Sequence, residues 1–290
     1  MTDKSFGILL AVTAGILWST IGLSIKSIEQ ANAFEILFFR SIFISIFIGF
    51  LLHFFFRFNF FLLLRNWVSY LSGGTALFFA YIGGIYALLT TSAANALLLF
   101  ACAPIFTAIL SPIFLKETIS IKTLLSIAIA FTGVFIMIWG DFGGGDWKGN
   151  LSAIISAIGF SFFTINLRLN KHMQMLPSVF ASGIIASSVA FLIILFSNYS
   201  FQLISKDFFI IFILGVFQVG AGLVLYTLGS KFVPATQLTI LMLGEVFLGP
   251  VWVWIFIGEE VLLNTILGGS LICFAVVYNA LYSNTDKLIK

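Results

Sequence analysis

Charge is what this sequence has least of. Only 9% of its 290 residues are Asp, Glu, Lys or Arg, while 61% are apolar, and the few charges cluster between long apolar stretches. That composition excludes a soluble globular domain. Cysteine and histidine are almost missing, with two of each. Cys102 and Cys273 both fall inside apolar runs, which argues against a disulfide framework and leaves the redox compartment undetermined. His53 and His172 stand apart, without the spacing of metal ligands, at the edges of such runs. No metal and no cofactor are expected. A phosphate-binding loop is also lacking. The glycines of Asp141-Phe142-Gly143-Gly144-Gly145-Asp146 have no strand before them and no Lys-Ser or Lys-Thr after them, so they read as a linker. With no nucleotide motif, any work the protein does must draw on a gradient or on the substrate itself. The net charge of +3 reflects scattered loops and forms no basic surface with interleaved aromatics, so nucleic acid is not an expected partner.

What the chain has in abundance is membrane-length apolar sequence. A bilayer core about 30 Å thick takes roughly 20 apolar residues per helix. Ten such runs lie at residues 6–25, 34–54, 67–88, 93–115, 121–140, 149–167, 179–196, 208–229, 235–257 and 263–282. The first is too long for a signal peptide, and Ser24-Ile25-Lys26 is no small-residue cleavage site, so it reads as a retained helix. Ten helices and their connections take up this sequence and leave no soluble catalytic domain within it. The expected fold is an all-α integral membrane protein of ten transmembrane helices.

Those ten helices fall into two copies. A shift of 142 positions places Gly7, Leu9, Ala11, Ile16 and Ser19 on Gly149, Leu151, Ala153, Ile158 and Ser161, and Lys26 on Arg168. Ala93 falls on Ala235, and Glu117 on Glu259. Each copy holds five runs. Five is odd, so consecutive copies must enter the bilayer from opposite sides, the inverted-repeat design of many secondary transporters. The expected organisation is a first repeat at 1–140, a Gly-rich linker at 141–148, and a second repeat with a short tail at 149–290.

Basic residues orient the chain. With the N-terminus cytoplasmic, Lys4, Arg57, Arg65, Lys116, Lys122, Arg168, Lys171, Lys231, Lys287 and Lys290 lie inside, and only Lys26, Lys148 and Lys206 outside. The positive-inside rule favours that orientation, with both termini cytoplasmic. The Phe-rich stretches beside Arg57 and Arg65 suit interfacial anchoring.

Few residues remain to carry chemistry. Glu245 lies near the middle of the ninth run, where a carboxylate costs roughly 2.5–3.5 kcal/mol on insertion scales. It should face a cavity or a partner, as countercharge for a cation, as a proton-binding group, or as a tie between helices. Gly244 and Gly249 flank it, and Pro250 cannot donate to the carbonyl of Val246. Pro104 similarly frees the carbonyl of Phe100 in the fourth run. Paired, interrupted helices around a central site are therefore expected, with packing kinks the alternative. Gln237, Glu245 and Trp252 share an arc of the ninth helix, and Asn95, aligned with Gln237 by the repeat, lies on the fourth. Trp18, Ser19, Tyr81, Tyr86 and Tyr226 complete the candidate wall, where aromatic faces beside a carboxylate suit an organic cation. Arg40, inside the second run, is expected to act as a structural or gating charge, with Glu35 near the start of that helix as a candidate partner.

The residues also carry a family resemblance. Ser92-Ala93-Ala94, Pro104 and Leu115-Lys116-Glu117-Thr118-Ile119-Ser120 in the first copy, then Pro234-Ala235-Thr236, Leu243-Gly244-Glu245 and Gly258-Glu259-Glu260 in the second, resemble the drug/metabolite transporter superfamily in its ten-helix EamA branch. Trp18-Ser19 and Arg40 fit the same pattern. The likeness covers nearly the whole chain. It departs at Val246, where that branch often has proline. The resemblance implies a secondary transporter moving a small organic metabolite, such as an amino acid or amine, across the cytoplasmic (inner) membrane, and not an enzyme. The solute and the lipid bilayer are the expected partners, and a proton is a candidate coupling ion. A lipid-linked sugar flippase, a membrane-embedded enzyme and a channel are the alternatives, and the oligomeric state is open.

Overall fold

Among the described residues, ten long apolar helices and a short one at Phe61–Arg65 make up the fold. The computed structural model describes residues 3–59, 61–91, 93–137, 139, 146–197, 199, 201–258 and 263–282. The glycine-rich linker, Glu259, Glu260 and the side chains of Asn95 and Lys26 lie outside the described residues. The helices are α1 (Asp3–Ser19, continued by Ile21–Lys26), α2 (Ala33–Phe50, continued by a π turn at Leu51–Phe55), α3 (Trp67–Thr90), α4 (Ala93–Phe100 and Ala103–Phe114) and α5 (Ile121–Met137). After the linker come α6 (Trp147–Leu169), α7 (Leu176–Phe196), α8 (Ser205–Ile213, a π turn at Leu214–Gly220, then Ala221–Gly229), α9 (Ala235–Met242 and Gly244–Ile257) and α10 (Leu263–Tyr282). No strand occurs among the described residues. Eight helices are long and apolar enough to cross a bilayer, and the apolar stretches of α4 and α5 are shorter, at Leu98–Phe114 and Ile121–Met137.

Their surfaces are those of lipid-facing helices. Phe61, Phe196 and Phe209 stand more than half exposed, which water would penalise and hydrocarbon does not. Trp67, Trp139 and Trp147 sit exposed at helix ends, where an amphipathic indole suits the headgroup boundary. Small residues fill the contacts instead. Ala11, Ala14, Ala130, Ala153, Ala157, Ala186 and Ala190 are all buried, as expected where association rests on close van der Waals approach.

Packing obeys the repeat. α3 packs on α6 as α8 packs on α1, and α4 packs on α6 as α9 packs on α1. The symmetric pairs α2 with α7 and α5 with α10 close the set. Exchanging the two copies reproduces this contact map. Polar bridges show that the exchange also inverts direction. At the end of the molecule where α1 begins, Ser69 Oγ donates to Asn170 Oδ1 at 3.0 Å, and Asn166 Nδ2 donates to Ser72 Oγ at 2.8 Å. At the opposite end Asp146 N donates to the Thr90 carbonyl at 3.1 Å, and Asn264 Nδ2 to that of Trp139 at 3.1 Å. The start of α6 therefore lies opposite the start of α1. Helix ends repeat too: Lys116 (φ 56°) after α4 and Gly258 (φ 80°) after α9 are left-handed and sit 142 positions apart.

Asp207 was not singled out in the sequence, yet it pins the α1–α2 loop. Its carboxylate, fully buried, accepts from the amides of Glu29 (3.0 Å), Gln30 (2.9 Å) and Ala31 (3.0 Å), while Lys206 pairs with Glu29 beside it.

The α5–α10 crossing is the tightest constraint on sequence. A Cβ at Gly133 would stand 2.6 Å from the Gly268 carbonyl oxygen, and backbone cannot give way. Gly133→Leu is expected to destabilise the protein by about 3 kcal/mol, the upper end for overpacking. Gly22→Leu, where nothing lies within 4 Å, serves as the neutral control. Equal thermal midpoints for the two variants in detergent would refute this assignment of the contact.

Candidate functional site

The centre of the molecule is organised by a break in α9. Ala235–Met242 ends at Leu243, and Gly244 begins a new helical segment. Leu243 N donates to the Ile240 carbonyl at 3.0 Å and Val246 N to that of Leu243 at 3.1 Å, three-residue bonds that tighten the chain there. α4 breaks at residues 101–102, and residue 101 corresponds to 243 under the repeat. In α4 the cause is legible, because Pro104 in the first turn of the second segment has no N–H for the Phe100 carbonyl. In α9 the expectation needs correction. Pro250 lies within the continuous segment Gly244–Ile257, so the interruption falls seven residues earlier, where no proline stands.

Glu245 occupies the first turn of that second segment, halfway along α9. An anion there meets the positive end of the new helical segment. The side chain is half-buried, has no hydrogen-bond partner among the described residues, and lies within electrostatic reach of the Tyr226 phenol.

Aromatic rings gather beside it. Trp18 stands 5.4 Å from Tyr226 and 5.8 Å from Phe160, and Phe160 stands 5.2 Å from Tyr226, all by ring centroids. Tyr226 is fully buried, shares a 2.7 Å hydrogen bond with Thr164 Oγ1, and stacks on Phe163. Gly222 lets the Nε1 side of the Trp18 indole approach α8 closely, since any Cβ there would collide with it. α1 is interrupted at Thr20, just past the indole, and the Trp18 carbonyl accepts from Gln218 Nε2 at 3.1 Å. Gln218 sits in the π turn of α8, a feature common at functional sites. Trp252 Nε1 donates to Ser19 Oγ at 2.7 Å, tying α9 to α1.

Other candidates sit differently. Gln237 is buried and donates to the Asn279 carbonyl at 3.2 Å, so its amide engages α10. Arg40 and Glu35 do not pair. The Glu35 carboxylate accepts from Asn32 N at 2.9 Å in a capping box at the start of α2. The Arg40 guanidinium lies over the Tyr81 ring, 5.0 Å from its centroid. Tyr86 is exposed. No cluster of three His, Cys, Asp or Glu occurs among the described residues, and Cys102 and Cys273 are free thiols.

Phe160, Phe163, Thr164 and Gln218 were not among the candidates read from sequence. Phe160 had a signal: it is Trp18 shifted by 142, so the two meet as repeat partners. Gln218 had none, because its copy-one counterpart is Ala76.

Ten helices among the described residues, in two inverted repeats, define a multi-pass membrane protein. The EamA-like transporter family matches residues 5–139 and 147–281, one match per repeat. The chain belongs to that family. A search of curated proteins gives no match. Among solved structures, the crystal structure of a protein shares the fold with a TM-score of 0.79 at 17% identity, over 94% of this chain and 96% of that one.

Proposed function

We propose that the protein is a secondary transporter that carries a small organic solute, such as an amino acid or amine, across the cytoplasmic membrane. The repeats 1–140 and 149–290, joined through 141–148, rock about the site between them and give alternating access. Glu245 carries this reading. A carboxylate halfway through a membrane helix, unpartnered by protein at a helix break and flanked by Trp18 and Tyr226, is costly to keep without a ligand or proton to receive. A proton is the candidate coupling ion, bound by that same group. The test is counterflow into liposomes containing the purified protein, preloaded with unlabelled solute from a panel of amino acids, amines and nucleosides. Accumulation of one labelled solute above empty liposomes is expected. Binding without accumulation for every panel member would overturn the reading, and scrambling of a labelled lipid-linked sugar in the same vesicles would favour a flippase.

The orientation proposed from the basic residues is testable independently. With Cys102 and Cys273 replaced by alanine, Ser5→Cys is expected to resist a membrane-impermeant maleimide in intact cells, and Gln30→Cys to react. The opposite pattern would invert the topology.

A further inference from the structure

A furrow of about 780 Å³ opens on the membrane-facing surface between α3 and α6. Small residues make room for it: Ser72, Thr75 and Ala76 on α3 and Gly159 on α6 all line it. Gly159 brings the two helices together there, since a Cβ would stand 2.7 Å from the Ala76 carbonyl oxygen. The exposed rings of Trp67, Phe79 and Phe162 extend the lining. Apart from the Ser72 and Thr75 hydroxyls and the Trp67 indole nitrogen, its side chains are apolar. The duplication does not require this furrow. α8 packs on α1 as α3 packs on α6, yet the four matching positions hold Leu214, Phe217, Gln218 and Leu17, each of them larger.

Its position fits one leaflet. From Trp67 to Phe79 it follows the first half of α3, about 18 Å of helix, against roughly 15 Å for the hydrocarbon of a single leaflet. One end lies where α1 begins, beside the hydrogen bond from Ser69 to Asn170. Arg65 stands exposed two residues before Trp67, and Lys171 directly follows Asn170. Neither forms an ion pair among the described residues, whereas Arg168 is taken by Glu117. In a bilayer hydrocarbon fills such a gap, because an empty one forfeits dispersion contacts. A chain tethered to a phosphate gains further from two free cations at headgroup level. We propose that the furrow is a lipid site. It takes one acyl chain of an anionic glycerophospholipid from the adjoining leaflet, with the phosphate at Arg65 and Lys171. The inference is independent of the transport reading, because none of the lining residues belongs to the group around Glu245.

The test uses purified full-length protein in detergent, titrated with phosphatidylglycerol or with phosphatidylcholine of identical acyl chains. Retention is read by native mass spectrometry and by thermal shift. The wild type is expected to retain one phosphatidylglycerol at about tenfold lower concentration than phosphatidylcholine, and to melt higher with it. Arg65→Gln combined with Lys171→Gln is expected to erase that preference. Lys148→Gln, at an exposed lysine of the opposite end, is expected to leave it intact. Thr75→Phe copies Phe217 of the second repeat and fills the furrow. It is expected to weaken retention of both lipids by about tenfold. Phenylalanine already stands at the matching position, so the lipid-free thermal midpoint of that variant should hold; if it unfolds, the doubly neutralised protein decides alone. Equal retention of the two lipids by the wild type would overturn the proposal. So would undiminished phosphatidylglycerol retention in either the doubly neutralised or the filled variant. A wild-type dimer that dissociates in Thr75→Phe would also overturn it and assign the furrow to a second copy of the chain.

Discussion

In liposomes carrying the Glu245→Gln protein, uptake of the solute carried by the wild type is expected to fall by at least about tenfold. The amide keeps the shape of the side chain and removes its charge. A hydrogen bond to a charged group contributes about 1.5–3 kcal/mol more than none, which converts to roughly ten- to a hundredfold in affinity. Stability should move the other way. Glu245 has no protein partner among the described residues, so the neutral variant loses no contact and sheds the part of the insertion cost that belongs to the charge. The thermal midpoint should hold or rise while transport is lost, the trade-off expected of a residue kept for function. If Glu245 only tied helices together, the midpoint would drop and transport per folded molecule would survive. Full transport with unaltered pH dependence would show that this carboxylate is not the functional centre.

Arg168→Gln is expected to give the largest loss of stability among polar substitutions at the helix ends, about 3 kcal/mol. Its guanidinium joins three helices. Nη2 and Nε donate to Glu117 Oε1 at 2.9 and 3.3 Å, and Nη1 donates to the carbonyls of Ser230 and Lys231 at 3.0 and 3.1 Å. The two side chains are 9% and 17% exposed, so water screens the pair little. Glutamine in place of Arg168 leaves Glu117 with the Ser111 hydroxyl but no counter-charge, and takes the donor from the carbonyls of Ser230 and Lys231 just past α8. Glu117→Gln is milder, because the amide oxygen still accepts from Arg168. A double-mutant cycle measures the coupling directly, with an expected interaction of about 1–3 kcal/mol. Additive effects would mean that the pair is ornamental. Under the alternating-access reading this cluster latches the ends of α4, α6 and α8, so Ser19→Cys should label faster from that side once the latch is cut.

The two substitutions differ in how visible they were beforehand. Glu245 stood out because a charge inside an apolar run is conspicuous in one dimension. Arg168 and Glu117 looked like ordinary loop charges, and the shift of 142 set them against Lys26 and Glu259 instead of against each other. Their meeting depends on how α4 and α6 pack. Arg40 shows the same limit. Glu35, five residues away, was the nearest candidate partner in sequence, but that carboxylate caps α2 and the guanidinium turns toward Tyr81 on another helix.

Helix number, approximate bounds and inverted duplication were decided by the sequence alone. A bilayer makes them so: hydrocarbon requires every backbone group to be satisfied within its own helix, so length and hydropathy are enough to set each span. The odd count of five then forces inversion. Packing decided the rest. The break in α9 falls at Leu243 and not at Pro250, at the position that matches the break in α4 under the repeat. The site unites Trp18, Phe160, Gln218, Tyr226 and Glu245 from four helices, and lipid-facing helices carry no amphipathic stripe to announce which of their rings turn inward. Between hydrocarbon and a protein interior the apolar residues have nothing to choose. Only the close approach of small residues such as Gly133 and Gly268 selects one arrangement of the ten helices over the others.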